Sequence, residues 1–277
     1  CMDRATGAVV VCKRIFSDFL RESPAAYRDM NPQEVNDPWK EFALARSLGT
    51  PAHHMMQGVC RCRGAFITVE GDGMLLLEYV NGGDILSQVV DDHPGPEREA
   101  KVWPLIKSLI TIVCELHARD IAHGEVTLEN ILVRKTECTD LVLIDLAMAV
   151  TGNLRRARGI RGKPSYQAPE MHTELTYDAR AADLFACGAV AYTLAVGNYP
   201  WNSTRPNIDP AFGFFSRRGI PSLLARRLLV FDGKRVPLAQ LISPRLQQLM
   251  STLLNIEPAA RFAALRVFGI TADEALP

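Results

Sequence analysis

The sequence predicts an α+β fold of two lobes in one domain: a small strand-rich lobe over residues 1–80 and a large helical lobe over 81–277. Three observations predict it. The first 80 residues carry three β-rich runs around one helical stretch. The remainder is dominated by helical periodicity. Between them "NGGD", residues 81–84, interrupts both patterns. At 277 residues the chain has ample length for such a core.

The elements follow in order. "AVVVCKRIF" is a strand run after a Thr6-Gly7 turn. "PWKEFALARSLG" reads as a helix with Phe42, Ala45 and Leu48 on one face and Gly49 as its stop. "CRCRGAFITV" and "MLLLEYV" are strands joined by the turn "EGDG". "REAKVWPLIKSLITIVCELHARD" is helical, with Val102, Leu105, Leu109, Ile112, Val113 and Leu116 at helical spacing and Pro104 expected in the first turn. "NILVR" and "LVLIDL" are short strands. An irregular, basic stretch from Asp145 to Glu170 leads to further helices, among them 180–197 and 244–255.

Lys+Arg and Asp+Glu both number 31, so the net charge is zero. That balance argues against a general nucleic-acid or membrane binder, which draws affinity from a basic excess. The longest nearly apolar run, residues 184–197, is 14 residues, better suited to a buried helix than to a bilayer. Seven cysteines occur without a CxxC pair. Cys114 and Cys187 read as buried thiols, and Cys60 and Cys62 share one strand face; the sequence does not pair them. No signal peptide is visible, and the sequence opens at Cys1, so a targeting signal could precede it. The "HHMM" at 53–56 reads as a loop rather than a metal site, and the basic run 155–163 as a solvated loop or a docking surface for an acidic partner. Phe212, Phe214 and Phe215 form either local core or a partner patch.

Chemistry-bearing residues recur in one order. Lys13 on a strand is followed by Glu41 on a helix. His123, Glu125 and Asn130 stand in "AHGEVTLEN", and Asp145 in "IDLA". "GKPSYQAPE" ends at Glu170, "DLFACG" opens at Asp183, and Arg261 lies in "EPAARF". This series resembles the eukaryotic protein kinases over almost the whole chain. The resemblance implies a two-lobed protein-kinase fold. Lys13 would hold nucleotide phosphates and pair with Glu41, although that pair also reads as purely structural. Val11, Leu77, Tyr79 and Leu132 would line the adenine pocket, and Asn130 and Asp145 would hold magnesium. Glu170 and Arg261 would form a structural ion pair, with Asp183 in a structural role.

Four departures from that pattern set the functional expectation. Glu125 replaces the aspartate base with an acid one methylene longer. Gly124 and Thr127 replace an arginine and a lysine, so switching by loop phosphorylation is expected to be absent and a phosphate-facing charge lost. Only twelve residues precede Lys13, too few for a glycine-rich loop and its strands. Val11 narrows the adenine pocket, whereas Leu146-Ala147 is the mildest change. The chain is similar to the With-No-Gly-loop branch of secreted apicomplexan rhoptry-type kinases, which include a bradyzoite-stage pseudokinase. The expectation is therefore a pseudokinase scaffold with no functional catalytic residue, no metal and no cofactor, ATP and magnesium binding being weak or absent. Its alternatives are a weak Ser/Thr kinase using Glu125 as base, or an ATP-binding regulator without turnover. The branch implies secretion to the parasitophorous vacuole or cyst wall and protein partners there, such as dense-granule or cyst-wall proteins, with no nucleic acid and no transmembrane segment. The sequon Asn202-Ser203-Thr204 is compatible with that route.

Overall fold

The computed structural model describes residues 1–2, 7–21, 23–49, 56–135, 139–231 and 233–269. His53 and His54 lie outside them. The fold is α+β, with a small strand-rich lobe and a helical large lobe.

In the small lobe, β1 (Val10–Ile15), β2 (Cys62–Ile67) and β3 (Gly73–Glu78) form an antiparallel sheet in the order β1-β3-β2. The register sets Val11 opposite Leu77 and Lys13 opposite Leu75. Residues between Lys13 and Glu41 form two short helices, α1 (Ser17–Leu20) and α2 (Pro24–Met30), before α3 (Pro38–Gly49). Asp37 caps α3: its Oδ1 accepts from the backbone N–H of Trp39 and Lys40 at 3.0 and 3.1 Å. Ile15, Leu20, Phe42, Ala45, Cys62 and Leu75 make a compact core that sets α3 on the sheet.

The large lobe is built on α4 (Pro96–His117) and α6 (Ala179–Val196). Two strand pairs frame the loops between the lobes. The first joins β4 (Ile121–Ala122) to β7 (Val150–Thr151), the second β5 (Ile131–Val133) to β6 (Leu141–Leu143). Helices α5 (Glu170–Thr173), α7 (Pro210–Arg226), α8 (Leu238–Leu241) and α9 (Pro244–Leu253), with the hairpin β8 (Leu228–Phe231) and β9 (Lys234–Pro237), complete the lobe. α6 is long and apolar enough to cross a membrane by length and composition, yet every residue from Ala179 to Ala195 is buried in this core.

Two details differ from expectation. Pro104 sits well inside α4, whose first turn is Pro96–Glu99. The helix starts at Pro96, two residues before the expected Arg98, and Arg98 and Glu99 in its first turn are buried. Arg98 donates to the Leu194 and Asp92 carbonyls, and Glu99 accepts from the Ser243 backbone N–H. Apolar periodicity cannot reveal such a turn. Second, Phe212 and Phe215 belong to the core, with ring centroids 5.1 and 4.6 Å from that of Trp201. Phe214 packs partly buried against the same cluster. Cys60, Cys62, Cys114 and Cys187 are buried free thiols, and burial pushes those of Cys60 and Cys114 up to about 12.

Arg261 is fully buried and donates from both terminal nitrogens to Glu170, at 2.5 and 2.8 Å. It also donates to the carbonyls of Asn255 and Ala181. The pair ties the last helical segment to α5 and α6. Arg261→Met should destabilise the protein by about 3–5 kcal/mol in urea denaturation, because the Glu170 carboxylate is left buried without its cation. The double variant E170Q/R261M should lose less. A single variant as stable as the parent would show that the pair carries no net stability.

Candidate active site

The loop between β4 and β5 holds His123, Glu125 and Asn130, and a clamp from α6 fixes its backbone. Asp183, 2% exposed, accepts from the backbone N–H of His123 at 2.7 Å and of Gly124 at 2.9 Å. Its Oδ2 also lies 2.9 Å from His117 Nε2. His123 is fully buried, and burial lowers its pKa, so the ring is neutral. Its two contacts assign the tautomer: Nε2–H donates to the Ile144 carbonyl at 3.1 Å, while Nδ1 accepts from the Glu125 backbone N–H at 3.2 Å. Asn130 Nδ2 donates to the Glu125 carbonyl at 3.0 Å. The backbone of Glu125 is thus held on both sides.

Facing this loop, Lys13 Nζ lies 2.7 and 2.9 Å from the two Glu41 oxygens and 3.2 Å from Asp145 Oδ2. Burial works to lower the Lys13 pKa, but Glu41 and then Asp145 outweigh it and raise it, so the ammonium is retained. Asp145 follows β6 with a left-handed backbone, φ 65°. Its own Oδ1 accepts from the Ala147 N–H at 3.3 Å, a local bond of the kind that lets Asp adopt this conformation. Behind the ion pair is a cavity of about 20 Å³ lined by Ala45, Val59, Leu75, Leu77, Leu143 and Leu146 among others. Leu146 is buried. Val11 and Tyr79 are exposed, at 42% and 56%, and Leu132 is half-buried on β5.

Burial raises the pKa of the Glu125 carboxyl, and the charge of Asp145 raises it further; Lys163 and the Asn130 amide oppose them. A half-buried carboxylate with a raised pKa binds a proton more readily than an ordinary glutamate.

The segment after Asp145 is pinned by the insert between Lys13 and Glu41, a feature the sequence does not reveal. The Asp37 backbone N–H donates to the Ala147 carbonyl at 3.0 Å, and Lys40 Nζ to that of Ala149 at 2.9 Å. Arg161 Nη1 donates to the carbonyls of Met148 at 2.9 Å and Val35 at 3.2 Å. Within the basic run, Arg155, Arg156 and Arg158 are exposed, whereas Ala157 is buried and Arg161 is drawn inward. The one available signal was the glycine in "AHGE". Gly124 has φ 77°, and a β-carbon there would stand 2.4 Å from the Met148 carbonyl oxygen. Gly124→Ala should therefore cost about 1–3 kcal/mol, read as a lowered Tm. An unchanged Tm would mean that this close approach is not required.

The protein kinase domain family model matches residues 1–270. The chain belongs to this family. It is 27% identical over 190 residues to serine/threonine-protein kinase SRK2I of Arabidopsis thaliana, covering 68% of this chain and 49% of that protein. It is 30% identical over 200 residues to serine/threonine-protein kinase DCLK3 of Mus musculus, covering 72% and 23%. The chain thus spans about half the length of the plant relative and less of the mouse one.

This membership corrects two expectations. The inactive, scaffold-only chain is overturned, because the matched relatives are serine/threonine-protein kinases. The expectation of no ATP and no magnesium falls with it, since kinase phosphoryl transfer uses both. Lys13 pairs with both Glu41 and Asp145, and Asn130 holds the Glu125 backbone. The physical error lay in treating each substitution as a loss without the geometry around it.

Proposed function

We propose that the chain is an atypical serine/threonine protein kinase in which Glu125 is the base. The observation that carries this reading is the placement of Glu125, whose N–H and carbonyl are held by His123 and Asn130. The ordered Lys13–Glu41–Asp145 array lies in the same cleft. In the reaction, the acceptor hydroxyl oxygen bonds to the γ-phosphorus of ATP. The bond from that phosphorus to the β–γ bridging oxygen breaks, and ADP leaves with the electron pair. The hydroxyl proton passes to the Glu125 carboxylate. Lys13 would orient the nucleotide phosphates. The donor set suits magnesium, which accepts one or two protein oxygens and completes its shell with phosphate and water: the Asp145 carboxylate and the Asn130 amide oxygen would hold it, and it would neutralise phosphate charge.

The extra methylene of Glu125 shifts the carboxylate, and a displacement of about 1 Å can cost about a hundredfold, so turnover is expected to be slow. Labelled phosphate from Mg·ATP should appear on serine or threonine of a generic acceptor. Glu125→Gln should lower the rate by about 10²–10⁴-fold. The base acts only when deprotonated, and its pKa is raised. The rate should therefore fall as pH drops, with an acid limb higher than that of an ordinary glutamate. Absence of transfer at every pH, or an E125Q variant as fast as the parent, would sink the proposal.

A secretory setting is a separate proposal. It is supported by the resemblance to the rhoptry-type branch and by Asn202 of the sequon, which is exposed. Expressed through a secretory route, the chain should migrate faster after glycosidase treatment, and Asn202→Gln should abolish the shift. A chain that carries no glycan under those conditions would count against it.

A further inference from the structure

Phosphoryl transfer depends on positive charge around the oxygens of the passing group. From Val126 to Glu129, between the base and Asn130, the loop carries no cation. Val126, Thr127 and Leu128 are buried, Thr127 completely. A lysine reaches this gap from another segment. Gly162 lies against the base, since a β-carbon there would stand 3.6 Å from Glu125 Cα and 3.7 Å from its Cγ. Lys163 follows directly, with Nζ 2.7 Å from Glu129 Oε1. The two side chains are 49% and 51% exposed, so the ammonium stands at the open edge of the cleft.

The turn that carries Lys163 is fixed at both ends. Gln167 Nε2 donates to the Gly162 carbonyl at 2.7 Å. The Tyr166 N–H donates to the Lys163 carbonyl at 2.9 Å, and the Tyr166 hydroxyl accepts from the Leu128 N–H at 3.3 Å. The turn and the base loop therefore form one unit, and the charge of Lys163 is felt at the Glu125 carboxyl. The other cations nearby are engaged elsewhere: Lys13 with two carboxylates, Arg161 with backbone carbonyls.

We propose that Lys163 is a catalytic residue, the cation that contacts the transferred phosphoryl group, supplied across space by the segment 162–166 in place of one on the loop itself. Glu129 parks the ammonium between turnovers. This assignment rests on the kinase reading, with Glu125 taking the proton and ADP leaving as described above.

Steady-state kinetics of K163M should show kcat lowered by about 10²-fold, with KM for ATP within about threefold of the parent. Two double variants separate catalysis from structure. If Lys163 only neutralises Glu129, K163M/E129Q would recover; we expect it to stay low. T127K/K163M, which moves the cation onto the loop, should regain at least about tenfold over K163M. If that double variant loses its melting transition, K163R replaces it and should exceed K163M by the same margin. An unchanged kcat in K163M, recovery in K163M/E129Q, or no gain in the charge-restoring variant would overturn the assignment.

A second readout needs no turnover. Calorimetric affinity for Mg·ADP with aluminium fluoride, a mimic of the phosphoryl in transit, should fall by at least about tenfold in K163M. Affinity for Mg·ADP alone should be unchanged. Equal affinity of parent and variant for the mimic overturns the role of Lys163. A parent that transfers no phosphate yet binds the mimic in a Lys163-dependent way would overturn the kinase reading and leave Lys163 as the phosphoryl-site cation.

Discussion

The site depends first on one buried carboxylate without a cation of fixed charge beside it. Asp183 is taken out of water near the start of α6 and is satisfied by two backbone N–H groups and one imidazole nitrogen. A buried carboxylate is costly unless its lone pairs are met, so these donors have little freedom to move. The donors are the backbone of His123 and Gly124, directly before Glu125. The rigidity of the most buried helix in the protein is transmitted through one side chain to the loop that needs exact placement. His123 extends the chain of constraint, since its two ring nitrogens tie Ile144, just before Asp145, to the N–H of Glu125.

A second set of constraints acts from the other lobe. Asp37 both caps α3 and donates its backbone N–H to Ala147, so the end that presents Glu41 also grips the segment after Asp145. Lys40, one turn on, holds Ala149. Burial and the nearby Arg161 charge lower the Lys40 pKa, which shows how tightly these cations are gathered. Arg161 connects the insert at Val35 to Met148, beside Gly124. The bonds from Asp37, Lys40 and Arg161 to the segment after Asp145 all go to its backbone carbonyls.

Much of this was legible in the sequence. The β1 and α3 patterns, the order of Lys13, Glu41, Asp145, Glu170, Asp183 and Arg261, and the apolar run within α6 led to the two-lobed kinase fold, because hydrophobic periodicity and residue order survive substitution. Three kinds of feature were not legible. Arg98 and Glu99 in the first turn of α4 are buried by partners distant in sequence, Leu194 and Ser243, which no local pattern shows. The stretch that leads into α3 carries no periodic pattern, and its importance lies in contacts from Val35, Asp37 and Lys40 to residues more than a hundred positions later. The aromatic side chains of α7 are core or patch depending only on whether Trp201 comes to meet them. The expectation of an inactive chain rests on single positions, Glu125, Gly124, Thr127 and Val11, set against a family pattern, and single positions do not show how charge and shape meet in space.

Glu125, Gly124 and Gly162 illustrate the point. Taken singly, Glu125 is an acid one methylene too long and Gly124 a lost arginine. In space they are one packing solution. Both glycines adopt positive φ, and each lacks a β-carbon where another chain passes. Gly124 admits the Met148 carbonyl, and Gly162 lies on the stem of Glu125 itself. With those side chains absent, the segment 161–163 approaches the catalytic loop closely enough to bring a guanidinium onto its backbone and an ammonium to its open edge. A larger residue at Gly124 would meet the Met148 carbonyl oxygen at 2.4 Å and force a shift, whereas at Gly162 the nearest approach is 3.3 Å and the constraint is the positive φ of 74°. The length of the acid, the missing side chains and the displaced charges therefore constrain one another, and the capacity of the site is a property of the set.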